Sequence, residues 1–187
     1  MSTRDHHQFV DYYASESLSP QTLTRYRSIQ NVILSHIDPV RAGRGLDVAD
    51  VGCGAGTQCL LWAELGHRAH GLDINTGLIE LGKQRAAQRG LSVSFYLGTA
   101  TQMPWADASM DACIMPELIE HVANWQQCLN EASRVLRHGG VLYLSTPNKL
   151  SPRQDEFNLP LYSWYPAFVK RWCVKKALSS HPQLANY

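Results

Sequence analysis

At 187 residues the chain is long enough for one domain, or for one domain with an appendage, and too short for two. Hydrophobic residues make up 44% and charged residues 18% of it, which excludes a disordered or fibrous protein. Seventeen basic side chains against sixteen acidic ones give a net charge of +1, so no overall field favours nucleic acid and no nucleic-acid partner is expected.

Cysteine content and the amino terminus indicate a cellular compartment. The five cysteines are odd in number, scattered and without a CxxC pair, which argues against a disulfide scaffold or a zinc module. The amino-terminal segment lacks the apolar core of a signal peptide, and no stretch reaches the ~18 apolar residues of a membrane span. We therefore expect a cytoplasmic protein without a metal, since His6 and His7 are more typical of an exposed polar terminus than of a metal site.

Helices and strands alternate along most of the chain. Ser19 and Pro20 predict the start of an amphipathic helix, which Asp38 and Pro39 end. Further on, apolar patterns predict strands at residues 46–51, 68–73, 91–96, 110–115 and 141–146, and helices at residues 57–65, 76–89 and 124–138. Strands separated by helices indicate an α/β fold, a parallel sheet with helices on both faces.

The composition changes after Pro147. Aromatic and basic side chains mix between residues 157 and 178, and no carboxylate occurs from Phe157 to the end. This pattern predicts an amphipathic basic helix beginning near Pro166, which we expect to cover an acceptor pocket. Contact with an anionic membrane surface is the less favoured alternative. We thus divide the chain into an amino-terminal helical lid at residues 1–45, a core at 46–150 and a carboxy-terminal segment at 151–187.

A glycine-rich turn, Asp50 to Gly56, lies where the first strand meets the next helix. Glycines permit a tight turn and allow a ligand to lie against the backbone. Asp73 closes the following strand 19 residues after Gly54, where a carboxylate can accept hydrogen bonds from both hydroxyls of a ribose. A tight turn without any ligand needs the same glycines, so the loop alone is weak evidence.

The loop chemistry narrows the choice of nucleotide. No Gly-Lys-Ser/Thr follows, which disfavours triphosphate hydrolysis, and the glycines do not fit a dinucleotide fingerprint. Asp50 would repel a pyrophosphate, whereas it can order backbone amides around a cationic amino-acid group or bind that group through water. An adenosine with a cationic tail, as in S-adenosylmethionine, therefore fits better than NAD.

Five motifs between about Asp47 and Asn148 resemble those of class I S-adenosylmethionine-dependent methyltransferases. They are VADVGCGAG at 48–56, GLDI at 71–74, GTA with MPW between 98 and 105, ELIEHV at 117–122 and LRHGG at 136–140. Their order and spacing make the resemblance specific. The ELIEHV box and the STPN sequence at 145–148 are most similar to the branch that contains the ubiquinone-pathway O-methyltransferases and uncharacterised relatives.

The resemblance implies a Rossmann-like fold with S-adenosylmethionine as cofactor and S-adenosylhomocysteine as product. It implies a cofactor site that comprises Asp50, Gly52, Cys53, Gly54, Asp73, Ile74, Thr99, Ala100, Met115 and Pro116. Asp73 would bind the ribose, Ile74 would pack on the adenine, and the backbone after the fourth strand would border the cofactor. The family usually has Asp where this chain has Thr99, so we expect weaker cofactor binding.

Methyl transfer from a sulfonium is an in-line displacement, so the protein mainly aligns the reactants. His121 is the candidate base if the acceptor must lose a proton, because an imidazole titrates near neutral pH. Glu117 and Glu120 could orient His121 or bind a cation. A histidine that only packs, and acids that only favour a helix start, are the alternatives.

These features predict methylation of a small molecule, with oxygen the expected acceptor atom. A lipid-like acceptor and a homodimer are left open, and Arg25 or Arg27 could reach the cofactor carboxylate. Asp11, Tyr12 and Tyr13 are expected in the lid. A cofactor-binding domain without turnover is the alternative, and a dinucleotide oxidoreductase is a third and weaker one.

The resembled fold normally adds two strands after a region like residues 157–178, and only nine residues follow it here. We therefore expect five strands, with the last two absent. Either the chain is truncated, or an exposed strand edge is covered by the tail or by a partner.

Overall fold

The computed structural model describes residues 16–146, together with Arg153–Gln154, Leu159–Pro160 and residue 169. The described residues up to Thr146 belong to one compact unit, and those from Arg153 onward belong to another. In the second unit the two short segments at 153–154 and 159–160 form an antiparallel pair, in which Arg153 is opposite Pro160. The predicted carboxy-terminal helix and residues 1–15 of the predicted lid, including His6, His7, Asp11, Tyr12 and Tyr13, lie outside the described residues, except for helical residue 169.

The amino-terminal helix α1 spans Pro20–His36. Ser19 caps it by accepting a hydrogen bond from the Thr22 amide at 3.2 Å, which confirms the predicted start. A short helix α2, Pro39–Ala42, follows. Its start is fixed by Asp38, whose carboxylate accepts from the Val40 amide at 2.7 Å.

Five parallel strands form the sheet of the first unit. They are β1 (Asp47–Val51), β2 (Arg68–Asp73), β3 (Val93–Leu97), β4 (Met110–Pro116) and β5 (Leu136–Ser145), in the order β3-β2-β1-β4-β5. Helices α3 (Thr57–Glu64), α4 (Thr76–Gln88) and α5 (Trp125–Val135) lie in the connections, with a single 3-10 turn at Ile119–His121 before α5. The predicted α/β fold with a parallel sheet is confirmed.

Strand side chains alternate between two hydrophobic layers. On one face, Val48 and Ile114 pack with residues of α1, α3 and α4: Ile29, Ile33, Cys59, Trp62 and Ile79. On the other face, Ala49 and Cys113 pack with α5 and with the segment before β4, through Met103, Trp105, Cys128, Ala132 and Val135. Helices thus cover both faces, as the sequence predicts.

Helix α1 is part of the first layer. Ile29 and Ile33 are buried in the same cluster as Trp62 of α3. The division at residue 45 between a lid and a core therefore does not separate two compact units, because residues 16–45 pack into the sheet unit.

The end of α5 differs from the prediction. The helix ends at Val135, not at His138, and Leu136 already pairs with Met110 of β4. The carbonyls of Arg134 and Val135 accept hydrogen bonds from the amides of residues 108 and 109, so the pairing that begins β4 also ends the helix. Strand β5 consequently has ten residues, with an irregular register before Val141.

Cys53, Cys59, Cys113 and Cys128 are all buried free thiols. Across the described part of the chain, no helix combines the length and the apolar character that crossing a bilayer requires.

Candidate functional site

The sheet order creates a crevice at one edge. In the sheet, β1 and β4 are neighbours. The chain leaves the carboxyl end of β1 toward β2 on one side and the carboxyl end of β4 toward β5 on the other side. Ligands of open α/β folds bind at this switch point. The predicted site residues lie at the ends of β1, β2 and β4 or in the loops after β1 to β4, so the fold brings them to this one edge.

The loop after β1 is held in an unusual conformation. Gly52, Gly54 and Gly56 have φ values of 76°, 52° and 72°, in the left-handed region that side chains disfavour. The amides of Gly52 and Cys53 both donate to the Leu72 carbonyl, at 2.8 and 3.0 Å. The loop is therefore fastened to the end of β2.

Asp73 connects this loop to the next one. Its Oδ2 accepts from the Gly54 amide and its Oδ1 accepts from the Asn75 amide, both at 2.8 Å. A carboxylate has about four acceptor positions, so both oxygens can still accept from ribose hydroxyls. The sequence predicted the place of Asp73 but not that it fastens the glycine loop.

Asp50 lies beneath the loop and is only 3% exposed. Burial raises the pKa of its carboxyl to about 7; the hydrogen bond that Cys59 Sγ donates at 3.4 Å lowers it, and the nearby charge of Asp73 raises it. The pKa of the Tyr26 phenol is raised to about 12, mainly by burial of Tyr26 and secondly by the charge of Asp50. Asp50 is therefore an enclosed carboxyl that titrates near neutral pH.

Two thiols occupy the space next to Gly71. A Cβ on Gly71 would lie 2.8 Å from Cys53 Sγ and 3.1 Å from Cys59 Sγ. Hydrogen bonding to Cys53 and burial raise the pKa of the Cys59 thiol well above its usual range. The hydrogen bond with Cys59 lowers the pKa of Cys53, but burial and the charge of Asp50 outweigh it and the pKa is raised. Neither cysteine is thus an activated nucleophile.

The Phe95 ring fills the space that three glycines leave. A Cβ would lie 2.5 Å from the ring at Gly56, and 2.9 Å from it at Gly71 and at Gly82. Sequence reasoning missed this contact. Its signal was Gly82, which lies inside a predicted helix, where glycine costs about 1 kcal/mol relative to alanine and so requires a packing reason.

The residues predicted to hold the adenine differ in exposure. The Ile74 side chain is 77% exposed beside Asp73, while Ala100 is buried. The Thr99 hydroxyl is hydrogen-bonded to the Thr101 hydroxyl at 3.0 Å and accepts from the Thr101 amide at 3.3 Å. Thr99 therefore stabilises its own turn, and part of its hydrogen-bonding capacity is used there.

The loop after β4 forms the opposite side of the crevice. Met115 is fully buried against Cys128, whereas Pro116, the next residue, is partly exposed at this edge. The Glu117 amide donates to the Ser145 carbonyl at 2.8 Å, and Glu117 has a positive φ of 51°. A Cβ on Gly52 would lie 2.9 Å from Leu118 Cδ1, so the loops after β1 and β4 are in close contact.

Glu117 is paired with Arg25 of α1. The guanidinium contacts the two carboxylate oxygens at 2.7 and 3.2 Å, and both side chains are about half exposed. Glu117 is thus part of an ion pair within the chain, and its predicted roles toward His121 or a bound cation stay predictions. Arg27 is exposed, and His121 is an exposed residue at the end of the 3-10 turn, where its amide donates to the Leu118 carbonyl.

Comparison with known proteins agrees with this geometry. A family model described as a methyltransferase domain matches residues 49–144, just over half of the chain. The chain belongs to this methyltransferase family. It is a class I domain whose cofactor is S-adenosylmethionine.

Three relatives illustrate the similarity. A ubiquinone biosynthesis O-methyltransferase from Brucella anthropi is 34% identical over 105 residues, which cover 56% of this chain and 42% of the relative. A probable tocopherol O-methyltransferase from Oryza sativa is 29% identical over 179 residues, 90% of this chain and 49% of the relative. The crystal structure of a SAM-dependent methyltransferase from Methanosarcina mazei has a TM-score of 0.51 at 27% identity, with 58% of this chain and 57% of that one covered. The methyltransferase chain thus spans half or less of these two curated relatives.

Proposed function

We propose that this protein transfers a methyl group from S-adenosylmethionine to an oxygen of a small molecule. The observation that carries the proposal is the unit formed by Asp73 and the glycine loop at the switch point of the sheet. The curated relatives cited above are named O-methyltransferases, which supports oxygen as the acceptor atom.

The residues at the crevice fit this cofactor. Asp73 presents a fixed carboxylate for the ribose, and the exposed Ile74 next to it offers an apolar surface for the adenine. Exposed Gly52 has no side chain, which allows close approach of a methionine group to the backbone. The negative charge of Asp50 under the loop favours a cationic tail.

The chain's own residues then align the reaction. When bound, S-adenosylmethionine supplies a methyl group on a positively charged sulfur, and the chain holds an acceptor hydroxyl in line with that bond. A bond forms between the acceptor oxygen and the methyl carbon, the carbon–sulfur bond breaks, and its electron pair stays on the sulfur. His121 accepts the proton of the hydroxyl. The ion pair between Glu117 and Arg25 joins α1 to the loop after β4.

Calorimetric titration of the full chain tests the cofactor. S-adenosylhomocysteine should bind, and NADH should not, because its pyrophosphate would approach Asp50. Absence of S-adenosylhomocysteine binding would contradict the proposal.

The role of His121 is tested by turnover with a phenolic acceptor. His121→Ala should lower turnover by roughly 10²–10⁴-fold with unchanged cofactor affinity. Gln126→Ala, at an exposed position near the start of α5, is the control and should leave turnover near that of the wild type. Unchanged turnover of His121→Ala would remove this residue from the mechanism.

A cofactor-binding domain without turnover is the second candidate. Thr99, a neutral residue that already bonds Thr101, favours it through weaker cofactor binding. Binding of S-adenosylhomocysteine without methyl transfer to phenols, sugars, lipids or amines would support this candidate. Transfer to any of them would exclude it.

The acceptor class and the location are proposals as well. The name of the rice relative supports a lipid-like phenol, and the basic aromatic sequence after residue 157 supports an acceptor of this kind. Vesicle-bound and free phenols offered in parallel would distinguish a lipid-like from a water-soluble acceptor.

We propose a cytoplasmic location on the basis of the reduced cysteines.

A further inference from the structure

Helix α4 lies directly against the glycine loop. A Cβ on Gly82 would lie 3.4 Å from the carbonyl carbon of Ala55, and a Cβ on Gly56 would lie 3.6 Å from the Cα of Gly82. Arg85 follows three residues later on the same face of the helix. Its side chain is therefore placed beside the loop.

The Arg85 guanidinium bridges three parts of the chain that are distant in sequence. Its NH1 group lies 3.1 Å from Ser17 Oγ, 3.4 Å from the Ala55 carbonyl and 3.4 Å from Thr57 Oγ1. Ser17 precedes α1, Ala55 is in the glycine loop, and Thr57 begins α3. All of these residues, including Arg85 at 8% exposed, are buried.

The loop needs such contacts because its glycines have little conformational preference of their own. Asp73 holds the Gly54 amide from the side of β2, and Arg85 holds the neighbouring Ala55 carbonyl from the side of α4. Hydrogen bonds from a charged donor are about twice as strong as neutral ones. Burial lowers the pKa of Arg85, yet an arginine stays charged at physiological pH.

We propose that Arg85 is a positioning residue for the cofactor: it fixes the glycine loop and connects its position to that of the segment before α1. The inference rests on the proposed function, because the loop is taken to be the cofactor cradle. Loss of the guanidinium frees the Ala55 carbonyl. We expect the affinity for S-adenosylhomocysteine to fall by about 10- to 100-fold, the value of one or two charged hydrogen bonds.

The experiment is calorimetric titration of S-adenosylhomocysteine into the wild type and into Arg85→Ala, with a urea unfolding curve for each. Arg89→Ala is the matched control: Arg89, four residues later, caps the carboxyl end of α4 and pairs with Glu64 at 3.0 Å on the surface. Millimolar guanidinium is then added to Arg85→Ala, because a free guanidinium ion can occupy the vacated site. Ser17→Ala removes one hydrogen-bond partner of Arg85 and leaves the Ala55 carbonyl in place.

The proposal expects weaker binding for Arg85→Ala, recovery on addition of guanidinium, no change for Arg89→Ala, and a smaller loss for Ser17→Ala. Wild-type affinity in Arg85→Ala would overturn it, as would a loss that guanidinium does not restore. If Arg85→Ala does not fold, Ser17→Ala with wild-type affinity overturns it equally. Failure of the wild type itself to bind would instead contradict the proposed function.

Discussion

The enclosed carboxyl of Asp50 makes stability depend on pH in a direction that can be measured. Its pKa is raised from an ordinary value of 3.8 to about 7 in the folded chain, chiefly by burial. For a carboxyl this means that ionisation opposes folding. The penalty is absent below pH 4, grows through pH 4–7 and is complete above about pH 7.

The size of the penalty follows from the same values. At about 1.4 kcal/mol for each pKa unit, it reaches about 4 kcal/mol at pH 8 and about 2 kcal/mol at pH 5. Asp50→Asn removes the charge and keeps an oxygen that can accept from Cys59. The difference in free energy of unfolding between Asp50→Asn and the wild type should therefore be about 2 to 3 kcal/mol more favourable to the variant at pH 8 than at pH 5.

The assay is urea unfolding of both proteins, without cofactor, at pH 5 and pH 8. Comparing the two pH values cancels the constant cost of burying an amide. Asp47→Asn is the control on the same strand, because hydrogen bonds from Arg68 lower the pKa of Asp47 to about 2. Its stabilisation of about 2 kcal/mol is complete above about pH 4 and is lost only as the pH falls toward 2, so its own titration makes no difference between pH 5 and pH 8. Loss of its contact with His70 at 3.5 Å should destabilise the variant further at pH 5, because Asp47 raises the pKa of that histidine.

A gap between Asp50→Asn and the wild type that stays constant with pH would refute the reasoning, because it would mean that Asp50 keeps an ordinary pKa. The same variant should weaken binding of S-adenosylmethionine more than that of S-adenosylhomocysteine, since only the former carries the charged sulfur. Stabilisation of the free protein together with weaker cofactor binding is the pattern of a group retained for function.

Three further variants test the frame of the site by urea unfolding. Gly56→Ala should lower the free energy of unfolding by about 2 to 5 kcal/mol, because an alanine is strained in the left-handed backbone there and its Cβ would collide with Phe95. A decrease of less than about 1 kcal/mol would contradict that collision. Glu117→Gly should be more stable than Glu117→Ala by about 1 kcal/mol, because both lose Arg25 and only glycine relieves the positive φ; equal stabilities would exclude strain there. Ser19→Ala should cost about 1 kcal/mol through loss of the α1 cap, with Ser28→Ala, in the middle of the same helix, as the milder control.

Much of the candidate site was predictable because the residues concerned act through local backbone geometry. The glycine loop and Asp73 follow directly from their places at the ends of strands, and the parallel sheet brings those ends together. Arg85 and Phe95 were not predictable as parts of the site. Their contacts join residues that are 13 to 68 positions apart, through the packing of α4 and β3 against the loop.

Patterns along the chain were sufficient to predict the order of elements, the parallel sheet and the edge at which the predicted cofactor residues meet. Apolar periodicity and helix caps are local signals, and parallel strands joined by helices permit few arrangements. The pairing of Arg25 with Glu117, the end of α5 at Val135 and the enclosure of Asp50 became visible only in the folded chain. Each of these depends on desolvation or on a partner from another element, which no pattern along the chain specifies.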